Sequence, residues 1–221
     1  MYSLAEENYL KALYLLSGKV GAVNVNDLSK QLNIKMPTVN SMMKKLFEKG
    51  LVVYESYKPI KLTTEGKKQA ALIIRKHRLT EMFLVEKMGF GWEEVHPIAE
   101  QIEHINAPAF FDRMDALLGF PKTDPHGSPI PNKNGEIEWI AYVNLSNCIP
   151  GEKVILSAVT NSSDDFLKFL NSKDIKLGDI IRILDIEPFD GSMQLSVSNR
   201  NPETFSKLVC EKLLVAPANN A

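Results

Sequence analysis

The sequence has 221 residues, of which 44% are hydrophobic and 24% charged, with a formal net charge of -1; this composition is that of a globular protein of two or three small domains. No apolar run approaches a membrane span and the first residues lack the layout of a signal peptide, so we expect a cytoplasmic protein with no membrane partner. Cys148 and Cys210 are isolated and far apart, which argues against a disulfide framework and a thiolate metal site.

The small net charge conceals a strong asymmetry along the chain. Residues 1–78 carry 14 Lys+Arg against 6 Asp+Glu, a net charge of +8, and the remainder carries 12 against 21, a net charge of -9. Because phosphate neutralisation supplies much of the affinity for nucleic acid, the basic first third indicates a DNA-binding surface.

Apolar residues at helical spacing predict three helices in the first fifty residues. They are Glu6–Ser17, Asp27–Leu32 with Asn26 as its cap, and a third that starts at Met36-Pro37 and stops at Gly50. The turn between the second and third helices predicts a helix-turn-helix. Leu51–Tyr54 and Ile60–Leu62 then flank a turn and predict a β-hairpin wing, and Thr64 is expected to cap the next helix.

The third helix has an exposed face of short polar groups followed by lysines, which can read base edges and contact phosphates. With one lysine of the wing, the candidate DNA-binding residues are Pro37, Thr38, Asn40, Ser41, Lys44, Lys45 and Lys58. The alternative is an ordinary solvated helix face, but the charge of this third of the chain favours double-stranded DNA.

Three of the four histidines lie between Arg75 and His104, together with several carboxylates. His77 and Glu81 are four apart, and a second set at i, i+4, i+7 and i+8 forms one helical stripe of His96, Glu100, Glu103 and His104. Imidazole and carboxylate donors without a nearby thiolate suit manganese, iron(II), cobalt or zinc. The alternative is a pair of solvated helix faces.

The remaining elements are a helix, a linker and a set of strands. Pro108–Leu118 is rich in large apolar groups, which suggests either a dimer interface or an internal core helix. Asp124 and His126 lie two apart in a Pro-rich turn, where both can point to one side. Beyond a linker from residue 128, a small β domain is predicted, with strands and one helix at Lys153–Val159, Asp164–Leu170 (helix), Asp179–Ile186, Gln194–Ser198 and Leu213–Ala216.

The winged helix, the stretch RKHRLTEMFL and the stretch EEVHPIAEQIEH together resemble the family of the diphtheria toxin repressor and the manganese transport regulator. The resemblance implies a metal-activated homodimeric repressor that binds operator DNA and is not an enzyme. It also implies a mainly α fold with a C-terminal β domain. We expect a winged helix-turn-helix domain at 1–75, a helical metal-binding and dimerisation domain at 76–127, a linker at 128–144 and an SH3-like barrel of the ferrous-iron-transport A type at 145–221.

The resemblance also implies two metal sites. The first would use His77, Glu100, Glu103 and His104, with Asn8 at the position of a first-helix ligand that is usually Asp or Met. The second would use Glu81, His96, Asp124, His126 and Asp165. Lys11 stands where one manganese-specific branch has a Glu, which argues against that branch's paired ions, and Glu100 stands where the iron-sensing branch has a Cys.

Carboxylate in place of thiolate makes manganese the expected metal, with iron(II) and zinc as alternatives. The chain is thus interpreted as a manganese-responsive repressor of metal-uptake genes. An iron(II)-responsive repressor of the same family and a metal-independent winged-helix regulator stay open as alternatives. A metal-dependent hydrolase would need a nucleophile or general base that the sequence does not supply.

Overall fold

The computed structural model describes residues 2–18, 21–160 and 163–218, and the chain divides into two compact units. Unit 1 consists of Met1–Thr80, Pro97–Pro121 and Ile130–Glu138, and unit 2 of Glu81–His96, Lys122–Pro129 and Trp139–Ala221. Each unit is therefore assembled from three separate stretches of sequence. None of the helices in the described part of the chain has the length and apolarity needed to cross a bilayer.

Unit 1 begins with three helices and a two-stranded wing. They are α1 (Leu4–Ser17), α2 (Val25–Leu32), α3 (Met36–Glu48), β1 (Val52–Val53) and β2 (Lys61–Leu62). The strands pair antiparallel, with Val52 opposite Leu62. Their apolar faces enclose one core that includes Leu10, Leu28, Met43, Leu46 and Ile60, all fully buried. The predicted helix-turn-helix and wing are confirmed.

The helix caps differ from those predicted, because capping depends on backbone geometry that residue type alone does not fix. α1 starts two residues early, since Ser3 and Glu6 form a reciprocal capping box. The N-cap of α2 is Asn24 rather than Asn26. In the long helix α4 (Thr64–Met88), the side chain of Thr63, not Thr64, accepts the Gly66 amide at 3.0 Å.

The predicted stripe through His104 is interrupted by a turn. α5 covers His96–Ile102 and α6 covers Pro108–Leu117, so Glu103 and His104 lie in the connection, although the Glu103 amide still donates to the Ala99 carbonyl at 2.9 Å. α6 begins at Pro108, whose ring keeps the preceding residue, Ala107, out of the helical region at φ -138° and ψ 83°. The helical spacing therefore predicted the positions of Glu103 and His104 to within one turn of helix, because α5 ends at Ile102.

The stretch Ile130–Glu138 has no regular secondary structure, yet it packs on the helices of unit 1. The Arg75 guanidinium donates to the Pro131 carbonyl at 2.7 Å and to Asp115 Oδ2 on α6 at 2.5 Å. Both charged side chains are buried. The same stretch forms an exposed ion pair between Lys133 and Asp112 at 2.8 Å.

Unit 2 contains a six-stranded antiparallel sheet in the order β3-β8-β4-β5-β6-β7. Its elements are β3 (Val143–Asn144), a 3-10 turn (Leu145–Asn147), β4 (Lys153–Val159), α7 (Asp164–Ser172), β5 (Ile180–Ile186), β6 (Met193–Val197), β7 (Glu203–Phe205), α8 (Lys207–Cys210) and β8 (Leu213–Pro217). The four predicted strands and the predicted helix are present, whereas the short strands β3 and β7 were missed. Bulges interrupt the register within β4 and β5 and bend them.

The core of unit 2 lies between this sheet and α7. Leu156, Leu167, Leu170 and Ile181 are fully buried there, and Trp92, from the loop before α5, packs against the same core. The indole nitrogen of Trp92 donates to Asn171 Oδ1 on α7 at 2.7 Å. The mainly α fold with a C-terminal β domain is thus confirmed.

Glu6 connects α1 to the helix that carries the candidate DNA-reading face. Its carboxylate is only 1% exposed and accepts Lys49 Nζ at 2.6 Å and Lys45 Nζ at 3.1 Å. Burial alone would raise the pKa of Glu6, but the hydrogen bonds from Lys49, the Ser3 amide and Lys45 outweigh it and lower the pKa to about 2. The ionised form is therefore the one that ties α1 to the end of α3.

Breaking the buried Arg75–Asp115 pair should destabilise the protein strongly. Asp115→Leu leaves a guanidinium buried without its carboxylate, and we expect it to lower the free energy of unfolding by about 3–5 kcal/mol in urea titrations. Asp112→Leu, which removes an exposed pair on the same helix, should cost no more than about 1 kcal/mol. Equal losses in the two variants would contradict the structural role of Arg75.

Glu6→Gln should remove a pH-dependent part of the stability. A carboxyl group whose pKa falls on folding stabilises the folded state above its unfolded value of 4.5, and that contribution disappears as the pH falls toward about 2. The difference in unfolding free energy between wild type and Glu6→Gln should therefore be constant from neutral pH to about pH 5 and shrink below it. Glu48→Gln, an exposed change on α3, is the control, and a gap as large at pH 3 as at neutral pH would refute the assignment.

Candidate metal centres and DNA-binding surface

The first cluster of candidate ligands lies in unit 1, where α1, α4 and the end of α5 meet. Lys11 Nζ on α1 donates to Glu100 Oε1 and to Glu103 Oε2, each at 2.6 Å. His77 Nδ1 on α4 lies 3.1 Å from Lys11 Nζ and 2.5 Å from Glu103 Oε2. The structure thus brings His77, Glu100 and Glu103 together, with a lysine among them.

Glu103 is the centre of this cluster and is 0% exposed. Burial alone would raise the pKa of Glu103, but the hydrogen bond with His77 and the charge of Lys11 outweigh it, so that its pKa falls below the usual value. The group is therefore a buried carboxylate. It needs positive or hydrogen-donating partners on both oxygens.

His104 is oriented by a residue that the sequence did not single out. Its Nδ1 lies 2.6 Å from Glu7 Oε2, and since a carboxylate only accepts, Nδ1 carries the proton. The other ring nitrogen, Nε2, faces Glu103 Oε1 at 3.6 Å. A ring nitrogen fixed by a carboxylate, with the other nitrogen directed at further donors, is the arrangement found around metal-binding histidines.

Two buried oxygens in this region have no hydrogen-bond partner among the described residues: Glu103 Oε1 and Asn8 Oδ1. Asn8 lies one turn before Lys11 on α1, so the two share a face of the helix. Leaving a buried oxygen unpaired is costly, and a bound cation would supply the missing partner. The donors Asn8, Glu103 and His104 therefore fit a divalent ion that prefers oxygen and imidazole.

The second cluster lies in unit 2 and joins Glu81, Asp124 and His126, all of them buried and with ligand atoms within 4.8 Å of one another. His126 Nε2 donates to the Trp92 carbonyl at 2.9 Å, since a carbonyl can only accept. His126 Nδ1 faces Glu81 Oε2 at 3.8 Å and Asp124 Oδ1 at 4.0 Å. Two buried carboxylates facing one imidazole nitrogen again fit a divalent ion.

The loop that carries these residues is held tightly. Asp124 Oδ1 accepts hydrogen bonds from the backbone amides of His126 and Ser128, both at 2.9 Å. These bonds within the turn fix the positions of the candidate ligands Asp124 and His126. Gly127 has φ +85°, and a Cβ there would come within 2.2 Å of the Ser157 carbonyl. This residue has to be glycine, because β4 passes directly against its backbone.

The other two residues expected at the second site are less well placed. His96 is half-exposed, with its Nδ1 3.3 Å from Glu81 Oε1, so it borders the cluster. Asp165 is exposed in the first turn of α7 and belongs to neither cluster in the described part of the chain. Its assignment stays a prediction without geometric support.

The exposed face of α3 presents Pro37, Thr38, Ser41, Lys44 and Lys45. Four of the predicted residues already have side-chain contacts within the protein, and the hydroxyl of one of them, Ser41, donates to the Pro37 carbonyl at 3.0 Å. Tyr54 of the wing donates its hydroxyl to Asn40 Oδ1 at 3.1 Å, which fixes the wing to the helix; Lys45 contacts Glu6; and Lys58 at the wing tip pairs with Glu55 at 2.8 Å. Thr38, Ser41 and Lys44 form the centre of the outward face.

α6 divides its large apolar groups between inside and outside. Phe111 and Met114 are buried, whereas Phe110 is 45% and Leu117 is 64% exposed. The core interpretation is confirmed for the inner side of this helix, and the dimer interface stays a prediction. α6 contributes to the core of unit 1 and also carries apolar side chains on its outer face, as an interface does.

Two residues near these sites were not singled out from the sequence, Glu7 behind His104 and Trp92 behind His126, and the contacts of Lys11 within the first cluster were not predicted. Glu7 and Lys11 are four apart on α1, which is the one signal that could have placed them on the same face as Asn8. No sequence signal identified Trp92, because its carbonyl contact with His126 and the stacking of its ring on the imidazole both depend on how the loop before α5 folds.

Three family models match successive parts of the chain. The model for the iron dependent repressor N-terminal DNA binding domain matches residues 1–60, that for the iron dependent repressor metal binding and dimerisation domain matches residues 63–132, and that for the FeoA domain matches residues 143–217. Together they cover the winged helix, the first cluster and the sheet.

The diphtheria toxin repressor of Corynebacterium diphtheriae is 26% identical over 217 residues, covering 91% of this chain and 92% of that protein. The iron-dependent repressor IdeR of Mycobacterium leprae is 34% identical over 125 residues, which are 57% of this chain and only 54% of that protein. That match therefore spans about half the length of the mycobacterial repressor.

Among solved structures, a manganese-dependent transcriptional repressor in complex with manganese superimposes with a TM-score of 0.84 at 28% identity, over 96% of this chain and 99% of that one. The agreement extends over both units. With its winged helix, its buried His/Glu clusters and its sheet of the FeoA type, the chain belongs to the diphtheria toxin repressor and manganese transport regulator family of metal-dependent transcriptional repressors.

Proposed function

We propose that this chain is a manganese-responsive repressor of metal-uptake genes that binds operator DNA as a metal-loaded homodimer. The observation that carries this proposal is the pair of buried oxygens, Glu103 Oε1 and Asn8 Oδ1, which have no hydrogen-bond partner among the described residues. One belongs to the turn after α5 and the other to α1 of the DNA-binding part. A divalent ion that pairs both would hold those two segments together.

The donor types support manganese over softer ions. Both clusters offer only carboxylate, amide and imidazole donors, and carboxylate-rich sites suit manganese. The two cysteines do not compete, because burial raises the pKa of Cys148 to about 11 and that of Cys210 to about 12, which leaves both as thiols. Iron(II), the metal in the name of the mycobacterial repressor, is the alternative, and zinc would bind tightly without necessarily activating.

We assign the ligands in two groups. In the first site Asn8, Glu103 and His104 would bind the ion directly, with Glu100 and His77 bordering it. In the second site Glu81, Asp124 and His126 would bind an ion, with His96 at its edge. We propose Asp165 as a second-site ligand on the family resemblance alone.

The first site can influence DNA through a short series of contacts. Asn8 shares α1 with Glu6, and Glu6 binds Lys45 and Lys49 at the end of α3. Fixing α1 against the turn after α5 therefore restricts the orientation of the reading helix. A metal would favour the DNA-competent state only by its difference in affinity for the two states.

We propose that Thr38 and Ser41 read base edges while Lys44, Lys45 and Lys58 contact phosphates, with Pro37 and Asn40 shaping the face. The exposed outer side of α6 supports a homodimer, which would present two reading helices to a palindromic site. A DNA-binding regulator works in the cytoplasm, and we propose no enzymatic activity. The proposed domain boundaries remain 1–75, 76–127, 128–144 and 145–221.

The metal dependence can be tested with duplexes selected from a random library in the presence of manganese. We expect manganese to induce tight binding, a chelator to reverse it, and iron(II) and zinc to support it less well at equal free concentration. Glu103→Gln should leave a folded dimer that no longer responds to manganese. By reciprocity the duplex must tighten manganese binding by the same factor, and equal manganese affinity with and without duplex would refute the coupling.

Lys44→Ala tests the proposed DNA-binding face in the same duplex-binding measurement. It should keep the manganese response, weaken binding to all sequences, and reduce the slope of log affinity against log salt by about 1. Metal-independent binding by the wild type would instead favour the metal-independent winged-helix regulator.

The second site can be tested through Trp92, whose ring stacks on that of His126 with centroids 6.1 Å apart. In the Trp139→Phe background Trp92 is the one remaining tryptophan of the two in the sequence. Paramagnetic manganese bound to His126 should quench its fluorescence strongly, and His126→Ala should abolish the quenching while Glu103→Gln leaves it. Quenching that survives His126→Ala would contradict a second site at this position.

A further inference from the structure

The first cluster already contains a cation that belongs to the chain itself. The Lys11 ammonium makes two 2.6 Å contacts, one to Glu100 and one to Glu103, and lies 3.1 Å from His77. Its side chain is only 10% exposed. A lysine is rarely buried to this degree unless charged partners surround it.

The two oxygens of Glu103 have different surroundings. Oε2 contacts both Lys11 and His77, whereas Oε1 is buried without a hydrogen-bond partner among the described residues and faces His104 Nε2 at 3.6 Å. The candidate ligands therefore fall into two neighbouring subsets. In one subset the Lys11 ammonium contacts His77 and Glu100; in the other, Glu103 Oε1 faces His104 and has no hydrogen-bond partner among the described residues, and neither has Asn8 Oδ1 on the same face of α1 as Lys11.

We propose that the Lys11 ammonium takes the place of a metal ion in this cluster, so that the first site holds a single divalent ion bound through Glu103 Oε1. This inference rests on the proposed metal-dependent function and specifies how many ions that site takes. Lys11 is then a positioning residue. Its ammonium pairs with Glu103 Oε2, the oxygen that does not bind the ion, and its contacts keep His77 and Glu100 away from the ion.

The arrangement also has a consequence for affinity. A fixed positive charge beside a divalent ion repels it, and the repulsion is stronger where water is excluded. Lys11 should therefore weaken manganese binding at this site while stabilising the metal-free protein. The two effects oppose each other, which makes them separable by substitution.

The test uses the full-length chain in an Asp124→Ala/His126→Ala background, so that the second site does not contribute, with manganese(II) as the metal. Equilibrium dialysis counts the ions, and electron paramagnetic resonance distinguishes an isolated ion from a magnetically coupled pair. Lys11→Arg keeps the charge, Lys11→Met removes it, and Lys11→Glu replaces it by a ligand.

We expect one uncoupled ion in the background protein and in Lys11→Arg, and two coupled ions in Lys11→Glu. Lys11→Met should bind one ion roughly tenfold more tightly and melt at a lower temperature than Lys11→Arg when metal is absent. A Lys11→Met protein that folds only with manganese also supports the proposal, because the ion then replaces the missing ammonium.

Two coupled ions in the background protein, or a single ion in Lys11→Glu, would overturn the proposal. So would a manganese affinity of Lys11→Met within twofold of the background. A background chain that binds no manganese at all would count against the proposed function instead. In that case the melting temperatures of metal-free Lys11→Met and Lys11→Arg still decide whether Lys11 is the internal cation, since equal values overturn it.

Discussion

A fully buried carboxylate, Glu103, sets the main constraint on this structure. A charge without access to water must be paired, and each of its oxygens recruits a different part of the chain. Oε2 draws in Lys11 from α1 and His77 from α4, and Oε1 faces His104. The meeting of these segments is therefore an electrostatic requirement as much as a packing one.

The two clusters share one design principle in spite of their different surroundings. In each, one nitrogen of a histidine is fixed by an acceptor that is not itself a ligand: Glu7 for His104 and the Trp92 carbonyl for His126. The remaining nitrogen is thereby oriented before any ion arrives. Preorganisation of this kind lowers the entropic cost of binding and gives each site a defined geometry.

The sequence predicted the types of side chain better than their partners. Helical spacing placed Glu103 and His104 on one stripe, and family resemblance added His77 and Asn8. The resemblance also used Lys11 to argue against paired ions, but the contacts of its ammonium with Glu100 and Glu103 were not predicted. Spacing shows which residues share a helix face but not which of two cations, ammonium or metal, lies between carboxylates. The exposed position of Asp165 could not be foreseen, since it depends on how α7 packs on the sheet.

Each unit is built from three separate stretches of sequence, which limits how the protein can be truncated. Unit 2 includes Glu81–His96 and Lys122–Pro129 as well as the sheet, and the His126 carbonyl accepts the amide of Val159 in β4 at 2.9 Å. A shortened chain that ends before β3 would keep every ligand of the second cluster but lose the strand that supports its loop. The sheet therefore supports the loop of the second cluster, and removing the sheet would remove that support.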